Sequence, residues 1–183
     1  MKKNRTYRKV KFIFYRQTLL EPTDHIWTFI GAFLGIGIIG WLQHSRFSPL
    51  ENFSLIGSFG ASAVLVYGAT NSPLAQPKNL VGGHLISACI GVSIAYLIPN
   101  PEWNWLACAL AVSISIVAMQ ITKTLHPPGG ATALIANIGT EKIKALGFMY
   151  VIDPVLSGVT ILLIIALIVN NIPKHRSYPL KKN

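Results

Sequence analysis

Acidic residues are scarce in this chain. Six Asp and Glu stand among 183 residues, and all charged residues together make up 12%. A soluble globular domain carries roughly 25%, so the composition excludes an ordinary soluble fold. The scarcity also argues against carboxylate chemistry, which needs two acids brought together. Glu21, Asp24, Glu51, Glu102, Glu141 and Asp153 all fall in expected loops or at the ends of expected helices. Cysteine is rarer still. Cys89 and Cys108 sit inside apolar runs, with no metal-ligand spacing around them, and read as packing residues. Neither a phosphate-cradling Gly-rich loop nor a nucleophile–base–acid set stands out. No enzyme activity, cofactor or metal site is therefore expected.

What the chain has in quantity is apolar residues, 51% of the total, and positive charge, +10 overall. The charge gathers at the ends. Lys2, Lys3, Arg5, Arg8, Lys9, Lys11 and Arg16 open the chain, and Lys174, Arg176, Lys181 and Lys182 close it. Basic ends around an apolar body read as cytoplasmic tails against an anionic membrane surface. Beyond its charge, the tail has nothing that suits nucleic acid, so no nucleic-acid partner is expected. The organisation that follows is a basic, interfacial N-terminal segment over 1–25, a transmembrane domain over 26–170, and a basic tail over 171–183. In the first segment, Phe12–Tyr15 suit an interfacial turn.

Long spans are predicted over about 26–42, 80–98, 105–122 and 154–169. Trp27 and Trp41 bracket the first, as interfacial aromatics do. Its Gly31 and Gly35 make a small-residue stripe suited to a close helix neighbour. A homo-oligomer, a dimer through that face, is the expected assembly. Between the long spans lie two shorter Gly-rich stretches, one around Ser58, Gly60 and Ser62, the other at Pro127, Pro128, Gly129, Gly130 and Thr132. The two prolines stop one helix and can start another. The second stretch then becomes a short helix with a bare N-terminus beside Lys123 and His126, which suits an anion. A tight turn is the plainer reading of the same residues.

A shift of 70 residues lays Gly60-Ala61-Ser62-Ala63 on Gly130-Ala131-Thr132-Ala133. Roughly ten of about forty positions then coincide, which suggests an internal repeat of about 26–98 and about 105–170. Each half reads long helix, short Gly-rich half-helix, long helix. Paired broken segments of this kind point to a transporter's binding site. The fold class is thus an all-α polytopic membrane protein with a two-fold repeat and four to six membrane segments. Counting Lys and Arg favours six, in an inverted 3+3 arrangement, because Lys78 and Lys123 then join the tails on the inner side. Both arrangements place the two termini in the cytoplasm.

The stretch His126-Pro127-Pro128-Gly129-Gly130-Ala131-Thr132-Ala133 resembles the HPP family of integral membrane proteins. Phe59–Ala63 and Gln76–His84 also look like blocks of that family. The resemblance covers about Trp27 to Val169. It implies a membrane domain, and nitrite transport is associated with relatives in photosynthetic lineages.

The candidate substrate-binding residues are Ser58, Gly60, Ser62, Lys78, His84, Lys123, His126, Pro127, Pro128, Gly129, Gly130 and Thr132. Hydroxyls, half-helix N-termini and cationic or switchable side chains together suit a small inorganic anion, with nitrite or nitrate the leading choice. Each group also has a structural reading. Lys123 can snorkel to the interface, His84 can bond a neighbouring helix, and His126 can cap a helix end. The expected location is a bacterial inner (plasma) membrane, with the lipid bilayer as partner. Two other readings stand beside transport of an anion: a membrane scaffold docking partners through its basic tails, and a carrier of another small solute.

Overall fold

In the computed structural model the described residues are 22–44, 47 and 49–180, with backbone alone at 50–56. The N-terminal basic run, Phe12–Tyr15, Arg46, Lys181 and Lys182 lie outside them. Seven helices carry the described chain: α1 Pro22–His44, α2 Pro49–Ala63, α3 Pro77–Leu97, α4 Asn104–Ile121, α5 Pro127–Ile138, α6 Glu141–Ala145 and α7 Ser157–Val169. A wider turn, Val64–Gly68, extends α2, and another, Val151–Leu156, leads into α7. Proline opens α1, α2, α3 and α5. It suits that position because a first-turn residue has no helical use for its N–H.

Four segments are long and apolar enough to cross a membrane: Pro22–His44, Pro77–Leu97, Pro101–Ile121 and Val151–Val169. Their outward faces carry large apolar side chains, among them Phe29, Phe33, Trp41, Leu97, Trp105, Ile121, Ile164 and Ile168. The inward face of α3 is built differently, with Gly83, His84, Ser87, Ala88 and Gly91 buried. Small and polar residues inside with bulky apolar ones outside is the pattern of helices packed in lipid, where close backbone approach replaces the hydrophobic drive.

One end of the bundle gathers both ends of the described chain. The Arg176 guanidinium bonds the buried Asp24 carboxylate, and its Nη2 reaches the Asp24 carbonyl at 2.9 Å. Asn170 Nδ2 donates to Val66 O at 2.9 Å, and Tyr178 donates to Ala75 O at 2.7 Å. Asn79 Nδ2 donates to Leu125 O at 2.8 Å. Hence α1, α3 and α5 begin at this end, and α2, α4 and α7 finish there. At the opposite end Lys142 lies over the Phe47 ring and Tyr96 stacks on Phe148. The six main helices therefore alternate in direction. The short α5 runs alongside α3 in the same sense, from Gly83 beside His126 to Gly91 beside Ala133.

Two expectations change here. Ser58-Phe59-Gly60 is not a half-helix N-terminus, because nothing stops α2 before it; the helix starts nine residues earlier, at Pro49. The Gly31–Gly35 stripe is taken inside the protomer. A Cβ at Gly31 would lie 2.6 Å from the Tyr67 ring, and one at Gly35 2.5 Å from the Tyr67 hydroxyl. That hydroxyl donates to Leu162 O, which ties α1, α2 and α7 together. A second protomer cannot use this stripe, whereas a Cβ at Gly37 would meet nothing within 4 Å.

Gly35→Val should therefore lower stability by about 1–3 kcal/mol, the cost of overpacking a filled site. Gly37→Val should stay near wild type. Thermal unfolding of the two variants in detergent checks this; equal midpoints would show that Tyr67 does not need the glycine.

Candidate functional site

The chain breaks between α4 and α5. The α4 helix ends with Lys123 in the left-handed region at φ 56°. Lys123 N donates to Gln120 O at 3.2 Å and Thr124 N to Met119 O at 2.8 Å. This is the paired C-terminal cap that glycine usually supplies, since a side chain there is strained. An extended stretch carries the chain past the first turns of α3, with Thr124 against Gly82 and His126 against Gly83. Then α5 starts at Pro127, with His126 as its N-cap residue.

Directly inside that break lies a buried cluster of hydroxyls and imidazoles. Ser58 and Ser62 come from α2, His84 from α3, His126 from the break and Thr132 from α5; all five are buried. Ser62 Oγ lies 2.7 Å from His84 Nε2 and 3.0 Å from His126 Nε2. His84 Nδ1 lies 2.7 Å from Thr132 Oγ1, which lies 2.7 Å from Ser58 Oγ. His126 Nδ1 lies 2.8 Å from the Leu74 carbonyl oxygen. The two imidazole rings are 5.0 Å apart, and the Phe59 ring lies 5.8 Å from that of His84, tilted by 47°.

The carbonyl at Leu74 orders the hydrogens. It can only accept, so His126 Nδ1 carries the hydrogen and Nε2 of the neutral ring accepts. Ser62 then donates to His126 Nε2 and accepts from His84 Nε2–H. His84 Nδ1 accepts from Thr132, and Thr132 accepts from Ser58. In this order every ring nitrogen has a partner; the Ser58 carbonyl oxygen, 3.2 Å from Ser62 Oγ, and the Pro128 carbonyl oxygen, 3.3 Å from Ser58 Oγ and 3.5 Å from Thr132 Oγ1, are longer alternative acceptors for the same hydroxyls. This assignment follows from satisfying each group, not from hydrogen positions.

Sequence reasoning brought together the five cluster residues. The others it named are placed differently. Lys78 and Lys123 are exposed. They flank the Asn79–Leu125 hydrogen bond, at the end of the bundle where α3 and α5 begin and outside the cluster. Gly60 faces open space, and Gly130 has only Val112 near it, at 3.8 Å. Gly129 is buried, with the Gly83 carbonyl 2.8 Å from where its Cβ would be. Pro127 is exposed and Pro128 buried. Ser58 Oγ also reaches the Pro128 carbonyl, at 3.3 Å. The α5 N-terminus is less bare than expected. Two prolines supply no N–H, and Gly129 N donates to His126 O at 2.8 Å. His126 does not cap α5 through its side chain.

Residues the sequence reading missed include Tyr150, which donates to Thr132 O at 3.0 Å, and Leu74, whose carbonyl anchors His126. It also missed Ser87, buried 2.9 Å from where a Gly129 Cβ would stand. Ser87 had a signal, the small-residue series Gly83, Ser87 and Gly91 at four-residue spacing on α3. Among the described residues, no group of three or more His, Cys, Asp or Glu side chains comes together as a metal site.

Apolar helices of alternating direction, packed through small residues around a buried polar cluster, define an integral, multi-pass helical membrane protein. Comparison with known proteins gives the family. Residues 17–179 match the family described as HPP, transmembrane region, and the chain belongs to that family. Two Dictyostelium discoideum proteins, each described only as a transmembrane protein, are similar to it. One is 47% identical over 156 residues, 84% of this chain and 54% of the relative. The other is 47% identical over 155 residues, 84% of this chain and 49% of the relative. The chain spans about half the length of these curated relatives. No solved structure matches it.

Thr132→Val keeps the shape and removes the hydroxyl that serves both His84 Nδ1 and Ser58. It should cost about 1–3 kcal/mol, the penalty for leaving a buried polar group without its partner. Unfolding in detergent measures it, and a stability equal to wild type would mean the cluster is not held by this hydroxyl.

Proposed function

We propose that this protein is a transporter or channel for a small inorganic anion, with nitrite or nitrate the leading candidates. The observation that carries this reading is the buried hydroxyl–imidazole cluster at a helix break. Irregular backbone inside a membrane bundle is tolerated where it is packed in protein or lines a path, and broken helices commonly build solute sites. Buried polar side chains in such a bundle are costly and usually functional. The cluster gathers hydroxyl and imidazole N–H donors, which an entering anion would draw away from their internal partners. The positive end of the α5 dipole faces the same region.

Lys78 and Lys123 give this path a cationic mouth, which concentrates anions near it. Lys123 occupies a backbone position where glycine would be easier, and strain of this kind collects at functional sites. Six crossings in an inverted 3+3 arrangement fit the alternating helix directions. Exchange of the halves pairs α1 with α4, α2 with α5, and α3 with α7. The contacts α1–α7 and α1–α2 then map onto α4–α3 and α5–α4, all of which are present. Ser58 touching Pro128, its own equivalent 70 residues on, is what a residue on the two-fold axis would do. The end where α1 begins and the described C-terminal segment packs, which also carries Lys78 and Lys123, is proposed as cytoplasmic by the Lys and Arg excess of the sequence flanking it. An inner (plasma) membrane is the proposed location, and no catalytic role is proposed.

Purified protein in liposomes should take up nitrite or nitrate down a gradient. Lys123→Gly keeps the helix cap, removes the charge and should fold at least as well as wild type. It should lower uptake by roughly tenfold at low salt, with a smaller effect at high salt as screening takes over. A wild-type protein that moves neither ion, nor any other small inorganic anion, would end the anion reading and favour the scaffold.

A further inference from the structure

The ordered hydrogen bonds have a property that anion binding does not require. They form one unbroken line, Ser58 to Thr132 to His84 to Ser62 to His126 to the Leu74 carbonyl, through side chains from three helices and the break. All links between side chains are 3.0 Å or shorter. Each member can take a hydrogen on one atom and release one: a hydroxyl through its single oxygen, an imidazole through its two nitrogens. We propose that this line is a proton path, and that the solute movement proposed above is coupled to it. The coupling rests on the transport reading; the path does not.

The transfer balances atom by atom. A proton delivered to the buried Ser58 Oγ releases the Ser58 hydrogen to Thr132 Oγ1, and Thr132 releases its own to His84 Nδ1. The Nε2–H bond of His84 breaks as Ser62 Oγ gains that hydrogen. The Ser62 hydrogen passes to His126 Nε2, and the positive charge now rests on that ring. His126 gives its Nδ1 hydrogen to water when the Leu74 turn moves aside. One proton enters and one leaves. A bare His126 Nδ1 would then face the Leu74 carbonyl oxygen, acceptor against acceptor, and this drives the rings and hydroxyls back to their starting direction.

The exit lies at the mouth. Leu74 is in the Pro73–Ala75 turn, which Tyr178 of the C-terminal tail clamps through Ala75 O. The groups that face the line from the packed elements are few. Tyr150 holds the Thr132 carbonyl, Phe59 lies on His84, and Gly83, Ser87 and Met119 line the α3–α4 side. Among the described residues, no carboxylate, Lys or Arg bonds to any of the five. Among the described residues the charge in transit thus meets no bonded counter-ion, and an anion bound beside the imidazoles would fill that role. This is the physical basis for the coupling.

The test is proteoliposomes of the full chain with a pH-sensitive dye inside and the membrane potential clamped by potassium and valinomycin. Proton and nitrite movement are read together. Protons should move in wild type and move faster when a nitrite gradient is imposed. Ser62→Ala cuts the line between the two imidazoles and should slow proton movement by roughly a hundredfold, the scale of losing a positioned proton donor. Ser113→Ala, an exposed hydroxyl on α4, should leave it unchanged. If Ser62→Ala does not fold, wild type in D2O serves instead, and proton movement there should be slower. Nitrite flux without proton movement overturns the path and leaves transport standing. Proton movement without nitrite flux keeps the path and overturns the coupling. Neither flux overturns both, and an equal rate in D2O or in Ser62→Ala overturns the path.

Discussion

The close approach of α3 to α5 is the constraint on which the centre of this protein depends. It is possible only because Gly83, Gly91 and Gly129 have no side chain. A Cβ at any of them would stand under 3 Å from backbone or side-chain atoms across the contact. Bringing the two backbones together sets His84 against Thr132 and His126, and Asn137 Nδ2 against Gly91 O at 3.1 Å. In lipid no water is available to satisfy these groups, so they must find one another. Packing and polar satisfaction are therefore one event here: the glycines permit the approach, and the hydrogen bonds reward it.

The end of the bundle that carries Lys78 and Lys123 is held by a second device. Asp24 at the start of α1 is buried against Arg176, with His175 Nε2 at 2.8 Å. An ion pair this deep is strongly sensitive to loss of either partner, because the survivor is left charged and unpaired. The same tail lays Tyr178 over the Pro73–Ala75 turn, and that turn holds His126 through Leu74. The tail is thus packed into the protein up to Leu180, whose N–H reaches Gln76 Oε1 at 2.9 Å.

Much of this was legible without coordinates. Apolar runs of membrane length, prolines at helix starts and basic ends leave one class of fold. The broken stretch at His126–Gly130 marks a discontinuity in any arrangement, because two adjacent prolines cannot continue α4. Ser58, Ser62, His84, His126 and Thr132 were all named from residue type and from the 70-residue shift, and they meet. The readings that shifted were local geometric ones. No residue before Ser58 says whether a Gly-rich stretch begins a helix or lies in the middle of one. A Gly-xxx-Gly stripe says that something packs closely, not whether it is a second copy or, as here, Tyr67.

The amino-acid order by itself determined the apolar surroundings, the long spans and the place where the chain breaks at His126–Gly130, because these follow from hydropathy and from what proline and glycine can do locally. Tertiary structure alone decided which polar groups bond. Ser62 reaches two histidines 22 and 64 positions away, and His126 is oriented by a carbonyl 52 positions back. Lys78 and Lys123, which looked equally suited to the site, were left at the surface. The physical reason is distance. Local rules act over a few residues, whereas the direction of a buried hydrogen bond is set by whichever acceptor the packing of remote helices happens to supply.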